Sequence, residues 1–235
     1  MGLSIVRSLP LSMDHTVFSR SSHGRLTDRD LDRFSTNKLF DRLGRAVCHA
    51  GCLPRKELYE AWEVARRVRR LCRGGRIVDL GGGHGLLAHV MLLLDDSSPC
   101  AVVVDKTLPA SSAKLHDVLV DAWPRLSGRV TFVTGGLEHV DIHASDLVVS
   151  SHACGDMTDR VLARAAAVRA RVAVLPCCHD LATGDAGGLS GWVDGALAID
   201  IVRVLRLAQQ GYRIRTQVIP GEITPKNRLL IASPL

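Results

Sequence analysis

Two short segments concentrate residues able to move protons or hold a soft ion: Ser151-His152-Ala153-Cys154-Gly155-Asp156 and Pro176-Cys177-Cys178-His179-Asp180. An imidazole titrates close to neutral pH and can take a proton there. His152, Asp156 and His179 are therefore candidates for proton transfer or for orienting a substrate. Two histidines and three cysteines also exceed the four ligands that zinc takes. Cys177 and Cys178 are adjacent, however, and lack the usual two-residue spacer, so no metal site is expected. Cysteine also serves as a small core residue, and strand alternation is expected to turn Cys177 inward. That leaves Cys154 and Cys178 to line a substrate.

A third segment, Asp79-Leu80-Gly81-Gly82-Gly83-His84-Gly85, puts an acid ahead of glycines at +2, +4 and +6. Small residues let a backbone approach a ligand closely. A dinucleotide turn begins with glycine and sets phosphates on a helix N-terminus. Here the leading carboxylate suits a cationic cofactor better, which disfavours a nicotinamide-dependent oxidoreductase. Asp105, 26 residues further on, can accept both hydroxyls of a ribose.

These segments need elements to bring them together. Leu58, Trp62, Ala65, Val68 and Cys72 recur at helical spacing, which predicts a helix over 55–72 closed by Gly74-Gly75. After it, short apolar runs at 76–80, 101–105, 129–133, 146–150 and 171–176 alternate with helical stretches. The pattern predicts βαβ units in a mostly parallel sheet with helices on both faces. The last two strands, 212–219 and 228–232, have no helix between them, so the final strand must run antiparallel. In such a sheet the Gly-rich turn, Asp105 and both His/Cys segments follow strand C-termini and face one edge. The loop 220–228 returns to that edge, where Thr224, Lys226 and Asn227 offer donors to a substrate. Asp200 and Arg203, at i and i+3 on the last helix, read as a surface ion pair.

With these residues in view, Asp79 through Gly85 resembles the first motif of class I S-adenosylmethionine-dependent methyltransferases, and Asp105 their second. The resemblance spans about residues 55–235. It implies a Rossmann-like seven-stranded α/β sheet, with Asp79, Gly81, Gly82, Gly83 and Gly85 around the methionine part of S-adenosyl-L-methionine. It also implies Asp105 on the ribose, and Leu137 and Glu138 near the adenine. His152-x-Cys154-Gly155 with Thr158-Asp159, then Cys177-Cys178-His179, is similar to a subgroup that includes the tRNA 2′-O-methyltransferase of acceptor-stem position 4. The chain differs in having one histidine after the cysteine pair, and no partner pair follows Cys48 and Cys52.

Composition bounds the reading. Of 235 residues 46% are hydrophobic and 23% charged, the balance of a folded globular chain rather than a disordered or fibrous one. Aromatic residues make up only 4%, too few for a stacking platform on single-stranded nucleic acid. The longest apolar stretch is about half of the roughly 20 residues a membrane span needs. Seven cysteines with no secretory signal point to a reducing, cytoplasmic setting. Residues 1–35, basic and rich in serine, resemble a weak organellar transit peptide but read better as a frayed tail.

Residues 1–75 hold 15 Lys/Arg against 8 Asp/Glu, and the remainder 15 against 16, so the net +6 resides in the N-terminal third. That asymmetry, with arginines at 66–73, suits a polyanion such as RNA laid across the cleft. The expected organisation is a basic extension over 1–54 and a methyltransferase domain over 55–235. The expected activity is methylation of RNA, tRNA or rRNA. A small molecule or protein side chain as acceptor, or cofactor binding without turnover, are the alternatives.

Overall fold

The computed structural model describes residues 18–235. A run of β-branched and apolar residues gives each of seven strands: β1 Ile77–Leu80, β2 Ala101–Asp105, β3 Val130–Thr134, β4 Leu147–Ser150, β5 Arg171–Val174, β6 Tyr212–Val218 and β7 Arg228–Pro234. They form one sheet in the order β3-β2-β1-β4-β5-β7-β6. The first five are parallel, and β7 runs antiparallel between β5 and β6. β6 therefore points the same way as β1–β5, and the 219–227 loop returns to their C-terminal edge. The mixed Rossmann-like sheet is the one expected from the alternation of strand and helix patterns.

Alternation along each strand feeds two cores. Ile77, Val103, Val149 and Ala173 pack with α1 Leu39–Ala50, α2 Arg55–Leu71, α3 Leu86–Leu94 and α4 Ser112–Ala122. Val78, Val104, Val148 and Val172 pack on the opposite face with α5 Asp156–Ala167 and α6 Gly195–Gln209. α3 is buried nearly end to end, because its sequence LLAHVMLLL is apolar on every side and is covered by α2 as well as by the sheet.

Residues 18–35 are not a frayed tail. Leu26 and Phe34 are buried in the first core, the Leu26 amide donates to the Leu53 carbonyl at 3.0 Å, and Arg25 bridges to Pro54. A β-carbon on Gly44 would overlap the Phe34 ring at 2.3 Å, so the glycine is what admits the ring. The transit-like composition of the first 17 residues lies outside the described residues. No helix among the described residues is long and apolar enough to cross a membrane.

Candidate active site

The Gly-rich turn leaves β1 with Gly81 and Gly85 in the left-handed region, at φ +69° and +76°. A β-carbon on Gly85 would sit 2.9 Å from Val103 and 3.0 Å from Phe132, so the turn lies flat on β2 and β3. One on Gly82 would meet the Asp79 carboxyl at 2.8 Å, whereas one on Gly83 would meet nothing within 4 Å. The turn thus rests on the carboxylate with its Gly83 face open. Ser150 Oγ donates to the Leu80 carbonyl at 2.6 Å and pins the strand end beside β4.

Asp79 is 1% exposed, and neither carboxylate oxygen makes a well-formed hydrogen bond among the described residues. Burial pushes its pKa up to about 7, against partial relief from the Ala88 amide. An orphaned carboxylate under an open glycine turn fits a ligand that brings its own cation. Asp105, at the end of β2, accepts from the Gly83 amide at 3.0 Å and from the Thr107 amide at 3.2 Å. It is half-buried and sits directly beside Gly83. Leu137 is buried in a short turn after β3, and Glu138 is exposed beside Arg160 at 3.6 Å.

His152 follows β4 and is exposed, yet it lines a small cavity with Glu57, Ala61, Gly82, His84 and Ser151. Desolvation, and then the charge of Lys56, lower its pKa. At neutral pH its imidazole is therefore unprotonated and able to accept a proton. Asp156 is exposed at the first turn of α5. Glu57 had no signal in the sequence beyond its place in the first turn of α2. Burial, reinforced by Glu60, raises its carboxyl to about 7.

His179 is placed differently from an open base. Its side chain is 2% exposed, its Nε2 lies 2.7 Å from Asp200 Oδ1, and its Nδ1 is buried without a partner. Asp200 is the hub of a network rather than half of a surface pair. Arg203, 3% exposed, donates to Asp200 at 3.2 Å, to both Asp159 oxygens at 3.0 and 2.7 Å, and to the Gly155 carbonyl at 3.2 Å. Arg228 of β7 donates to Asp200 Oδ2 at 2.7 Å. The correction has a simple cause: this face of α6 packs against α5, so Arg203 points inward and its charge must be met there.

The cysteines also depart from expectation. β5 ends at Val174, so the alternation that would turn Cys177 inward no longer operates where the cysteines begin. Cys177 is half-buried, with its Sγ 3.1 Å from that of exposed Cys154. Burial first, and the neighbouring thiols second, push Cys177 well above the ordinary thiol range. In the 219–227 loop, Lys226 is exposed, whereas Thr224 is buried and Asn227 donates to the Ile219 carbonyl at 3.1 Å. Thr224 and Asn227 shape the loop.

The arginines of α2 do not lie across this cleft. Arg69 is buried, donating to Met91 and Ser98 and paired with Asp95 at 3.2 Å. Arg66 and Arg67 both pair with Glu63. Arg73 precedes β1, and its carbonyl accepts from Arg171 at the start of β5, which is the sheet edge opposite the glycine turn.

Comparison with known proteins agrees with this architecture. A sequence model described as a methyltransferase domain matches residues 56–184, a span that holds the glycine turn, Asp105 and both His/Cys segments. The strand order is that of the class I methyltransferase fold, and the chain belongs to the methyltransferase-domain family. Among solved structures it is similar to the tRNA methyltransferase TrmK of B. subtilis, at 13% identity and TM-score 0.51, over 74% of this chain and 66% of that one. It is similar also to the mitomycin 7-O-methyltransferase MmcR, at 17% identity and TM-score 0.51, over 87% and 60%. An O-methyltransferase family protein from Burkholderia thailandensis matches at 17% identity and TM-score 0.51, over 87% and 62%. The chain thus spans about 60–66% of the length of these three, and at such identities the likeness is one of fold. A search of curated proteins finds no match.

Proposed function

We propose that the chain transfers a methyl group from S-adenosyl-L-methionine to RNA. The observation that carries the cofactor reading is the buried Asp79 carboxylate packed under Gly82, with the face of the next glycine, Gly83, left open. Asp79 would hold the cofactor's α-ammonium group through the turn. Asp105 would accept the ribose hydroxyls, and Leu137 with Glu138 would flank the adenine. When bound, the cofactor supplies a methyl already activated on a positive sulfur.

The protein's own task is then alignment and deprotonation. Holding the acceptor in line is worth effective molarities of up to about 10⁵ M or more. His152, neutral and beside the turn, would take the proton of an acceptor hydroxyl or amine as the new bond forms. Asp156 is close in sequence to orient an acceptor, and His179, enclosed by Asp200, would set the shape of the 176–180 loop rather than touch the acceptor. Exposed Lys106 after β2 and Lys226 after β6 lie on the same edge and would meet phosphates. The likeness to the acceptor-stem tRNA methyltransferase subgroup in the 152–159 and 177–179 segments supports RNA as the acceptor class.

The test is transfer of labelled methyl from the cofactor to fractionated cell RNA, protein and metabolites. Label in RNA, lost in His152→Ala while calorimetry still detects cofactor binding, is the expected result. Label confined to protein or metabolites would move the acceptor to those classes. Absence of cofactor binding would remove the reading altogether.

A further inference from the structure

The proposed methyl transfer gives no chemical role to the thiols of Cys154, Cys177 and Cys178, yet they are gathered closely. Their three sulfur atoms lie within 4.8 Å of one another, from two loops 23 residues apart. The loops are held in place independently of the thiols. The Gly155 amide donates to the Cys178 carbonyl at 3.2 Å, and Arg203 grips the Gly155 carbonyl at 3.2 Å. Because residues 175–180 lie beyond β5, adjacent Cys177 and Cys178 can both turn toward Cys154.

We propose that Cys154, Cys177 and Cys178 form a binding site for a thiophilic divalent ion, with zinc the ion that their number and spacing fit. At a Zn–S distance of about 2.3 Å, two thiolates on one tetrahedral ion stand about 3.8 Å apart. The sulfurs need to move by only a fraction of an ångström from where they are. Cys154 and Cys178 are exposed, so an ion can enter from solvent. Binding converts three thiols and one divalent cation into a tris-thiolate complex of net charge −1, with three protons released to solvent.

Three protein ligands leave a fourth position, since no other histidine, cysteine or carboxylate among the described residues shares the group. A water molecule or an acceptor atom would fill it, as at zinc sites that keep an open coordination place. The ion would clip the β4 and β5 loops together beside His152. The proposal runs against the expectation that neighbouring cysteines do not share one ion.

The test uses the full chain, reduced and free of metal. Titration with cobalt(II) should give thiolate-to-cobalt charge-transfer absorption saturating near one ion per chain, abolished in Cys154→Ser and Cys178→Ser. Cys72→Ser, which alters a buried thiol outside the cluster, should leave the titration unchanged. X-ray absorption of the zinc form should show about three sulfur neighbours at roughly 2.3 Å. Circular dichroism of each variant separates lost binding from lost folding, and the wild-type titration stands whatever the variants do. No charge-transfer band in the reduced wild type, or a zinc form with fewer than three sulfur neighbours, overturns the proposal. A Cys154–Cys177 disulfide that reforms in air and excludes the ion from the protein as isolated would also overturn it. None of these readouts involves the cofactor, so their failure would leave the methyl-transfer reading where it was.

Discussion

At the scale of single residues, Asp79 is a carboxylate enclosed with nothing to neutralise it. Its pKa in the folded chain is raised to about 7, from a usual value near 4. Between those values the folded state holds a proton that the unfolded state has released, so this group's contribution to stability falls as pH rises from about 4 to 7. Fully expressed, the effect is of the order of 4 kcal/mol. Asp79→Asn should therefore be more stable than the native protein at pH 8 and gain little at pH 4, by denaturant titration at both pH values. The same variant should bind S-adenosylmethionine at least tenfold more weakly in calorimetry. Buried His89, held down to about 4 by desolvation, titrates in the opposite sense, which is why the comparison must be with the variant.

His152 gives a kinetic prediction at the same scale. Replacement by alanine should lower kcat by roughly 10²–10⁴-fold with cofactor affinity intact. Because its pKa is lowered, the native rate should hold steady through neutral pH and decline only at acid pH, below the usual imidazole range. A rate that instead falls away above pH 8 would point to a group that must be protonated.

At the scale of elements, the Arg203 network ties α5, α6, β7 and the 155 and 179 loops through one guanidinium and one carboxylate. Removing one partner of such a buried set strands the others. Arg203→Ala should destabilise the chain by about 3–5 kcal/mol in denaturant titration. Asp200→Asn, which keeps the shape, should fold and bind cofactor, yet lose activity through a displaced 176–180 loop. This network also marks where sequence patterns stop. The strands were legible because β-branched runs stood between turns, and the glycine turn because only a left-handed backbone needs that residue. An Asp and an Arg at i and i+3 look the same whether their helix face meets water or another helix. The inward set of Arg203 depends on α5, which no local pattern reports. The same holds for Leu26 and Phe34, whose burial comes from long-range packing in a segment without periodicity. For Cys177, the parity argument was sound for a strand but the strand had already ended.

At the scale of the whole molecule, charge is distributed differently from what a count by thirds suggested. Much of the arginine excess is consumed internally, by Asp95 and Glu63 among others, while Lys106 and Lys226 are exposed on the edge that carries the site and make no ion pair among the described residues. If RNA docks on that edge, Lys106→Ala and Lys226→Ala should each flatten the log–log dependence of affinity on salt by about 0.7–0.9. Arg70→Ala and Arg73→Ala, exposed but remote from it, should leave the slope as it is. Filter binding over a range of salt concentrations checks both.

The enclosed acid under the glycine turn has a consequence for the protein's lifetime. If the proposed cofactor docks over Asp79, the empty chain would open more often than the loaded one, and opened chains are what proteases consume. Methionine shortage would then thin the population of this protein as well as slow it, so that its abundance follows the supply of methyl donor without any dedicated sensor.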